Sequence, residues 1–285
     1  MPLFEIAGIP VEFSGFENEF FDRRLAAYKA GRKKTPKLKV CLTDKPMFPS
    51  GTHISEVRGF RHYYKNETTY GIYDLLKAPD NYCAAIEFDA DVKSAKMNLT
   101  DISGYGGMTS DVRSFNMLGE IFKYFILRQD GIVLHSSCIK YKNSGIAFSA
   151  PPGTGKSTHT GLWKKCFPDD VIILNDDSPV IKFNQYVPGI YGTPWSGKTE
   201  INVNESAPLD ALVILEQAPE NSISELSSDE ALFLILQEVA RPVFPEFMSL
   251  TLSAVEKLLL KTKVYRLKCN ISDEAVMTVK NKLEL

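Results

Sequence analysis

Hydrophobic and polar positions follow one pattern in the first part of the chain and another in the rest. Up to about residue 111, apolar residues come in short runs separated by turn formers. Residues 3–13 are apolar-rich around one Gly8-Ile9-Pro10 turn, residues 38–42 alternate about Val40, and residues 68–73 mix aromatic and β-branched side chains. Residues 83–88 form another such run. Runs of this length predict strands. Pro46, Pro49, Gly51, Pro79, Asp80 and Asn81 mark the turns between them. Residues 20–30 predict a helix with Leu25 and Tyr28 facing inward, and Ser103-Gly104-Tyr105-Gly106-Gly107 reads as a loop, either a connector or a lid.

From residue 114 the period becomes helical. Met117, Ile121, Tyr124 and Phe125 recur at three- and four-residue spacing and predict a helix over 114–128. Short apolar runs at 131–135, 139–141, 145–149, 171–174, 211–215 and 264–267 then alternate with helical segments at 156–166, 229–237, 252–260 and 274–283. The pattern predicts an α/β fold: a β-rich domain over 1–112 and an α/β domain over 113–285, with the boundary between about 110 and 130. A chain of 285 residues can bury a proper core in such an arrangement.

Composition narrows the function classes. The net charge of -2 gives no whole-protein field favouring nucleic acid or a membrane surface. Arg32, Lys33, Lys34, Lys37 and Lys39 form a local basic cluster, read either as a solvated loop or as a docking patch for an acidic partner. Cys41, Cys83, Cys138, Cys166 and Cys269 are scattered and never paired as CxxC. That argues against a disulfide framework and a thiolate zinc site, and for a reducing compartment. The start lacks the basic and apolar regions of a signal peptide, and no run reaches the ~18 apolar residues of a membrane span. The expectation is a cytoplasmic protein without nucleic-acid or membrane partners. No H-E-x-x-H or G-x-S-x-G pattern is present to support metalloprotease or hydrolase chemistry.

One segment carries explicit chemistry. Ala150-Pro151-Pro152-Gly153-Thr154-Gly155-Lys156-Ser157-Thr158 follows G-x-x-x-x-G-K-[ST], with Ala150 in the first glycine position. Gly153 and Gly155 let successive backbone N–H groups turn into one concavity. The following helix offers its unpaired N-terminal N–H groups to the same phosphates. Lys156 can reach the β- and γ-phosphates, and Ser157 can offer its hydroxyl to Mg²⁺. Pro152, Gly153, Thr154, Gly155, Lys156, Ser157 and Thr158 are therefore the expected nucleotide-binding residues. A predicted strand before the loop and a predicted helix after it supply the context that the motif requires.

A second apolar run, residues 171–174, delivers Asn175-Asp176-Asp177 at its end. In a parallel sheet that end lies beside the phosphate loop. Two adjacent aspartates permit a division of labour, one orienting Mg²⁺ and the other taking a proton from an incoming hydroxyl. Further along, Tyr191-Gly192-Thr193-Pro194-Trp195-Ser196-Gly197-Lys198-Thr199-Glu200 reads either as a plain hairpin or as a site segment. In the second reading Tyr191 or Trp195 stacks on adenine or substrate, Lys198 meets a phosphate and Glu200 the metal. His135 is a core residue or a site residue, His159 is expected on a helix surface, and Arg241 is an arginine-finger candidate.

The order Leu134-His135-Ser136-Ser137, phosphate loop, Leu174-Asn175-Asp176-Asp177 resembles the kinase core of HPr kinase/phosphorylase, itself similar to the nucleotide-binding part of ATP-dependent phosphoenolpyruvate carboxykinase. The resemblance covers roughly residues 135–215 and implies a P-loop kinase core of that type behind the β-rich domain. It implies ATP and Mg²⁺ as cofactors and transfer of the γ-phosphoryl group to a serine hydroxyl. By it, His135 lines the phosphate site, Lys156 and Ser157 keep their phosphate and metal roles, and Asp177 or its neighbour Asp176 is the base; the metal candidates read from the residues themselves are Ser157, Asp176 and Glu200. Ser136 stands where the family typically has glycine, and the glycine- and arginine-containing signature of the bifunctional regulators is not found. The chain looks more similar to divergent relatives that accompany peptide-modification systems, with a serine-bearing peptide or protein as acceptor and self-association into a homo-oligomer left open. Two other readings stay open: a nucleotide-dependent switch with slow ATP hydrolysis, and a kinase of a small molecule such as free serine or a sugar.

Overall fold

The computed structural model describes residues 2–31, 34–75, 82–100, 108–183 and 186–285. The expected turn at Pro79, Asp80 and Asn81, the loop at 103–107, and Arg32 and Lys33 of the basic cluster lie outside the described residues. The fold is mixed α/β, and the chain gathers into two compact units. One is Met1–Arg128 with Pro242–Met248; the other is Gln129–Arg241 with Ser249–Leu285.

The first unit comprises β1 (Leu3–Ile6), β2 (Ile9–Ser14), α1 (Glu19–Arg24), β3 (Leu38–Leu42), β4 (Thr52–Val57), β5 (Arg61–Lys65), β6 (Thr69–Leu75), β7 (Tyr82–Asp89), β8 (Ser94–Leu99) and α2 (Ser110–Arg128). Among the described residues, eight strands form one sheet in the order β1-β2-β3-β8-β7-β6-β5-β4. β2 alternates buried and half-buried residues, as a strand with one covered face must. Strands β4, β5 and β8 fall outside the strands expected from the sequence. Most of β4 is exposed and THISEV shows no apolar alternation, so neighbours rather than pattern make it a strand. The helix expected over 20–30 stops at Arg24, and a 3₁₀ turn follows at Ala26–Tyr28. The Ala30 N–H then donates to the Leu3 carbonyl at 2.8 Å, which draws the chain back to the β1 edge. Helix α2 spans residue 112 and buries Phe115, Leu118, Ile121, Phe122 and Phe125 along one stripe. Tyr70, Phe88 and Tyr124 pack with Phe244 and Phe247 in one aromatic cluster.

The second unit comprises β9 (Gly131–Val133), β10 (Ser136–Tyr141), β11 (Ser144–Ser149), α3 (Lys156–Cys166), β12 (Val171–Asn175), β13 (Val180–Lys182), β14 (Gly189–Tyr191), β15 (Ser206–Gln217), β16 (Ser222–Glu225) and α4 (Ser228–Glu238). Helix α5 (Pro245–Lys261) begins among residues of the first unit and continues here, followed by β17 (Lys263–Cys269) and α6 (Asp273–Lys282). The sheet is mixed rather than parallel. β10 and β11 form an antiparallel hairpin, and β10 also pairs antiparallel with β12. β11 and β12 therefore run in the same direction with β10 between them, and their C-terminal ends share one edge. β15 is parallel to β11 and to β17. Its first residues turn to β14, which continues through β13 to β9. Ile139, Phe148, Trp163, Val171, Val213, Leu267 and Val276 belong to the core around this sheet. Among the described residues no helix is long and apolar enough to cross a membrane.

Candidate functional site

β11 ends at Ser149, whose hydroxyl donates to the His135 carbonyl at 2.8 Å. The chain then turns through a loop whose shape depends on two glycines. Gly153 has φ 83° and Gly155 φ 115°, both in the left-handed region. A Cβ at either position would meet no atom within 4 Å, so the backbone conformation demands glycine there, not lack of space. Gly155 is also the N-cap of α3 and supplies no side-chain cap. The first-turn N–H groups are thus left for an external acceptor, as at an anion-binding helix start. Lys156 is buried and its Nζ donates to the Ala150 carbonyl at 2.7 Å, closing the loop on itself. Burial pushes its pKa down, while Glu238, Asp177 and Asp176 push it up. The Gln217 amide donates to the Thr154 carbonyl at 3.0 Å and anchors the loop to the end of β15. Pro152 is exposed on the loop, and Ser157 and Thr158 on the first turn of α3.

The acidic pair stands at the end of β12. Asn175 is buried, and its Oδ1 accepts from the N–H groups of Asp177 at 2.9 Å and Ser178 at 2.7 Å. This Asx-type turn fixes the backbone through the acidic pair. The Asn175 amide donates to the Thr193 carbonyl at 2.8 Å and ties on the following loop. Asp177 is 38% exposed, and its Oδ2 accepts from the Ser178 hydroxyl at 2.7 Å. Asp176 is only 7% exposed, and neither carboxylate oxygen has a hydrogen-bond partner. A buried carboxylate without a partner is costly, which fits a position that a cation occupies. No group of three or more His, Cys, Asp or Glu among the described residues is placed to hold a metal by itself.

His135 sits between two carboxylates. Its Nδ1 lies 2.9 Å from Glu238 Oε2, and its Nε2 lies 3.7 Å from Asp177 Oδ1. The way α4 ends explains the first contact. A capping box of Ser227 and Glu230 starts that helix. At its far end Val239 bridges to Leu134, the His135 N–H donates to the Glu238 carbonyl at 2.9 Å, and the Ala240 N–H donates to the Val133 carbonyl at 3.1 Å. The helix therefore terminates by pairing with the β9–β10 link, which delivers Glu238 to His135. Glu238 went unrecognised in the sequence. Its one signal was an acid in the last turn of a helix, where the dipole disfavours negative charge.

Cavities open on both sides of the loop. One of about 500 Å³ is lined by Pro151, Pro152, Leu234, Gln237, Glu238 and Arg266, among others. Another of about 570 Å³ has Thr158, Leu162, Gln217, Ala218, Asn270 and Ile271 in its wall. The loop after Tyr191 lies against the acidic strand. Gly197 has φ 64°, and a Cβ there would lie 3.2 Å from Asp177 Cβ. Trp195 is half-buried, while Lys198 and Glu200 are exposed on this loop. Tyr191 packs under the Lys182 ammonium, 5.3 Å from its ring centroid. Arg241 is exposed just past α4. His159 is not on a helix surface as expected. It is buried against Phe148, and its Nε2 accepts from Trp163 Nε1–H at 3.2 Å.

No protein-family model and no curated protein matches the chain. Among solved structures, the HPr(Ser) kinase/phosphatase from Coxiella burnetii is distantly similar, with a TM-score of 0.31 and 9% identity over 53% of this chain and 92% of that one.

Proposed function

We propose that the chain is an ATP- and Mg²⁺-dependent phosphotransferase that moves the γ-phosphoryl group to a serine hydroxyl of a peptide or protein. The observation that carries this reading is the closed loop, with Gly153 and Gly155 at positive φ and buried Lys156 at the first position of α3. In it the loop N–H groups and the start of α3 hold the phosphates, and Lys156 exchanges its bond to the Ala150 carbonyl for the β- and γ-oxygens. Ser157 and the unpartnered Asp176 are the residues that would hold magnesium, with Glu200 as a further candidate. The metal, when bound, supplies charge neutralisation on the phosphates. Asp177 uses Oδ2 for the Ser178 hydroxyl and keeps Oδ1 for the acceptor proton. His135 holds its ring beside that oxygen.

The test is a mass spectrum of serine-bearing peptides, HPr-type proteins and free serine after incubation with the protein, ATP and Mg²⁺. One added phosphate is expected on one acceptor, lost in Lys156→Ala. Equal transfer by that variant would refute the assignment. A small-molecule acceptor is the second reading, favoured by the cavity of about 500 Å³ that reaches Glu238. Phosphorylated free serine with unmodified peptides would select it.

A further inference from the structure

A carboxylate outside the sequence motifs contacts the histidine in this site. Glu238 Oε2 is 2.9 Å from His135 Nδ1, and the Glu238 carbonyl accepts from the His135 N–H, also at 2.9 Å. The side chain and backbone of one residue thus grip the side chain and backbone of another. The Glu238 side chain is only 9% exposed, against 35% for His135 and 38% for Asp177, so the grip is made on the inner side of the ring. A carboxylate oxygen without a proton can only accept, so this contact is a hydrogen bond when Nδ1 carries the proton. In neutral imidazole the other nitrogen then presents a lone pair, and that nitrogen faces Asp177 Oδ1 at 3.7 Å.

We propose that Glu238 is a positioning residue that fixes His135 as its Nδ1–H tautomer and aims the Nε2 lone pair at Asp177 Oδ1. The proposal rests on the phosphotransferase reading for its catalytic consequence, not for its geometry. During transfer the acceptor oxygen bonds to the γ-phosphorus as the bond from that phosphorus to the bridging oxygen breaks and the diphosphate leaves. The hydroxyl proton passes to Asp177 Oδ1, where His135 Nε2 shares it. Without Glu238 the ring is free to flip or to move its proton to Nε2, and an N–H then occupies the place where the incoming proton is to be received. The orienting aspartate of serine-protease triads plays a comparable part, and its loss costs about 10⁴-fold in kcat.

The test labels the four histidines with nitrogen-15 and records long-range proton–nitrogen spectra at pH about 8.5, above the ordinary imidazole range. His135→Gln assigns the His135 signals. The wild type should show the Nδ1–H pattern. Glu238→Gln, whose amide oxygen still accepts, should keep it, and Glu238→Ala should lose it. With an acceptor in hand, Glu238→Ala should lower kcat by roughly 10²-fold with KM for ATP nearly unchanged, and Glu238→Gln should recover most of the loss. An Nε2–H pattern in the wild type overturns the proposal without any variant. So does an unchanged tautomer, or an unchanged kcat, in a folded Glu238→Ala. The expected tautomers in a protein that transfers no phosphate would refute the phosphotransferase reading and leave the positioning geometry supported.

Discussion

Lowering the pH should weaken the second unit through His159. Burial beneath Phe148 and Trp163 drops its pKa from 6.5 to about 4, and its Nε2 is already committed as acceptor to the Trp163 indole N–H. The folded state therefore holds neutral imidazole while the unfolded chain protonates at the ordinary value. Below pH 6.5 the unfolded state binds more protons, so stability is intact above that pH and is lost as pH falls toward 4. Between pH 7.5 and pH 5 the loss works out at about 2 kcal/mol, approaching roughly 3 kcal/mol below pH 4. Urea unfolding followed by Trp163 fluorescence, with Trp195→Phe as background, reads this directly. At an m-value of about 2 kcal/mol per M, the midpoint should fall by roughly 1 M more in this protein than in His159→Gln, which accepts from the indole but does not titrate. Parallel midpoint-against-pH curves for the two proteins would refute the reasoning.

Asp176→Asn should raise the melting temperature of the ligand-free protein, because it removes a buried carboxylate whose oxygens have no hydrogen-bond partner; the lost attraction to Lys156 offsets part of the gain, and about 1 kcal/mol is the expected scale, checked by calorimetry. On the phosphotransferase reading, Mg-ATP should raise the melting temperature of the wild type, and the same variant should lose that gain. Gly192→Ala would place a Cβ 1.9 Å from the Val203 carbonyl oxygen and 2.5 Å from that of Leu174, both backbone atoms. It should destabilise by about 3 kcal/mol or more in urea titrations, by overpacking.

What the sequence disclosed follows from how local each feature is. The glycine-rich loop before α3 is legible because its glycines, its lysine and the start of α3 are contiguous, and their conformational requirements are written in residue type. The strand leading to Asp176 and Asp177 was equally readable, but its place in the sheet was not. β10 separates it from β11, and nothing in a five-residue run tells which neighbours it will take. Glu238 was hidden because its contact with His135 spans 103 positions. His159 was misjudged for another reason. α3 buries Lys156, His159, Thr160 and Trp163, a regular helical stripe that is mostly polar, so hydrophobic periodicity had no signal to report there. β4 likewise joins its sheet with side chains that say nothing of burial.

The interleaving of the two units limits how this chain can be cut and recombined. Phe244 and Phe247 fill the aromatic cluster of the first unit yet lie more than a hundred residues after Arg128. A fragment ending at Arg128 would leave Tyr70, Phe88 and Tyr124 without those two rings and expose a sticky apolar face. A fragment starting at Gln129 would carry the same two phenylalanines with nowhere to bury them. α5 is continuous across the second junction, so no loop is available there for a clean splice. The unit bearing the glycine-rich loop therefore cannot be traded between proteins as a cassette. Shuffling by simple end-to-end fusion is closed to it, and its evolution and engineering have to proceed with both units in one reading frame.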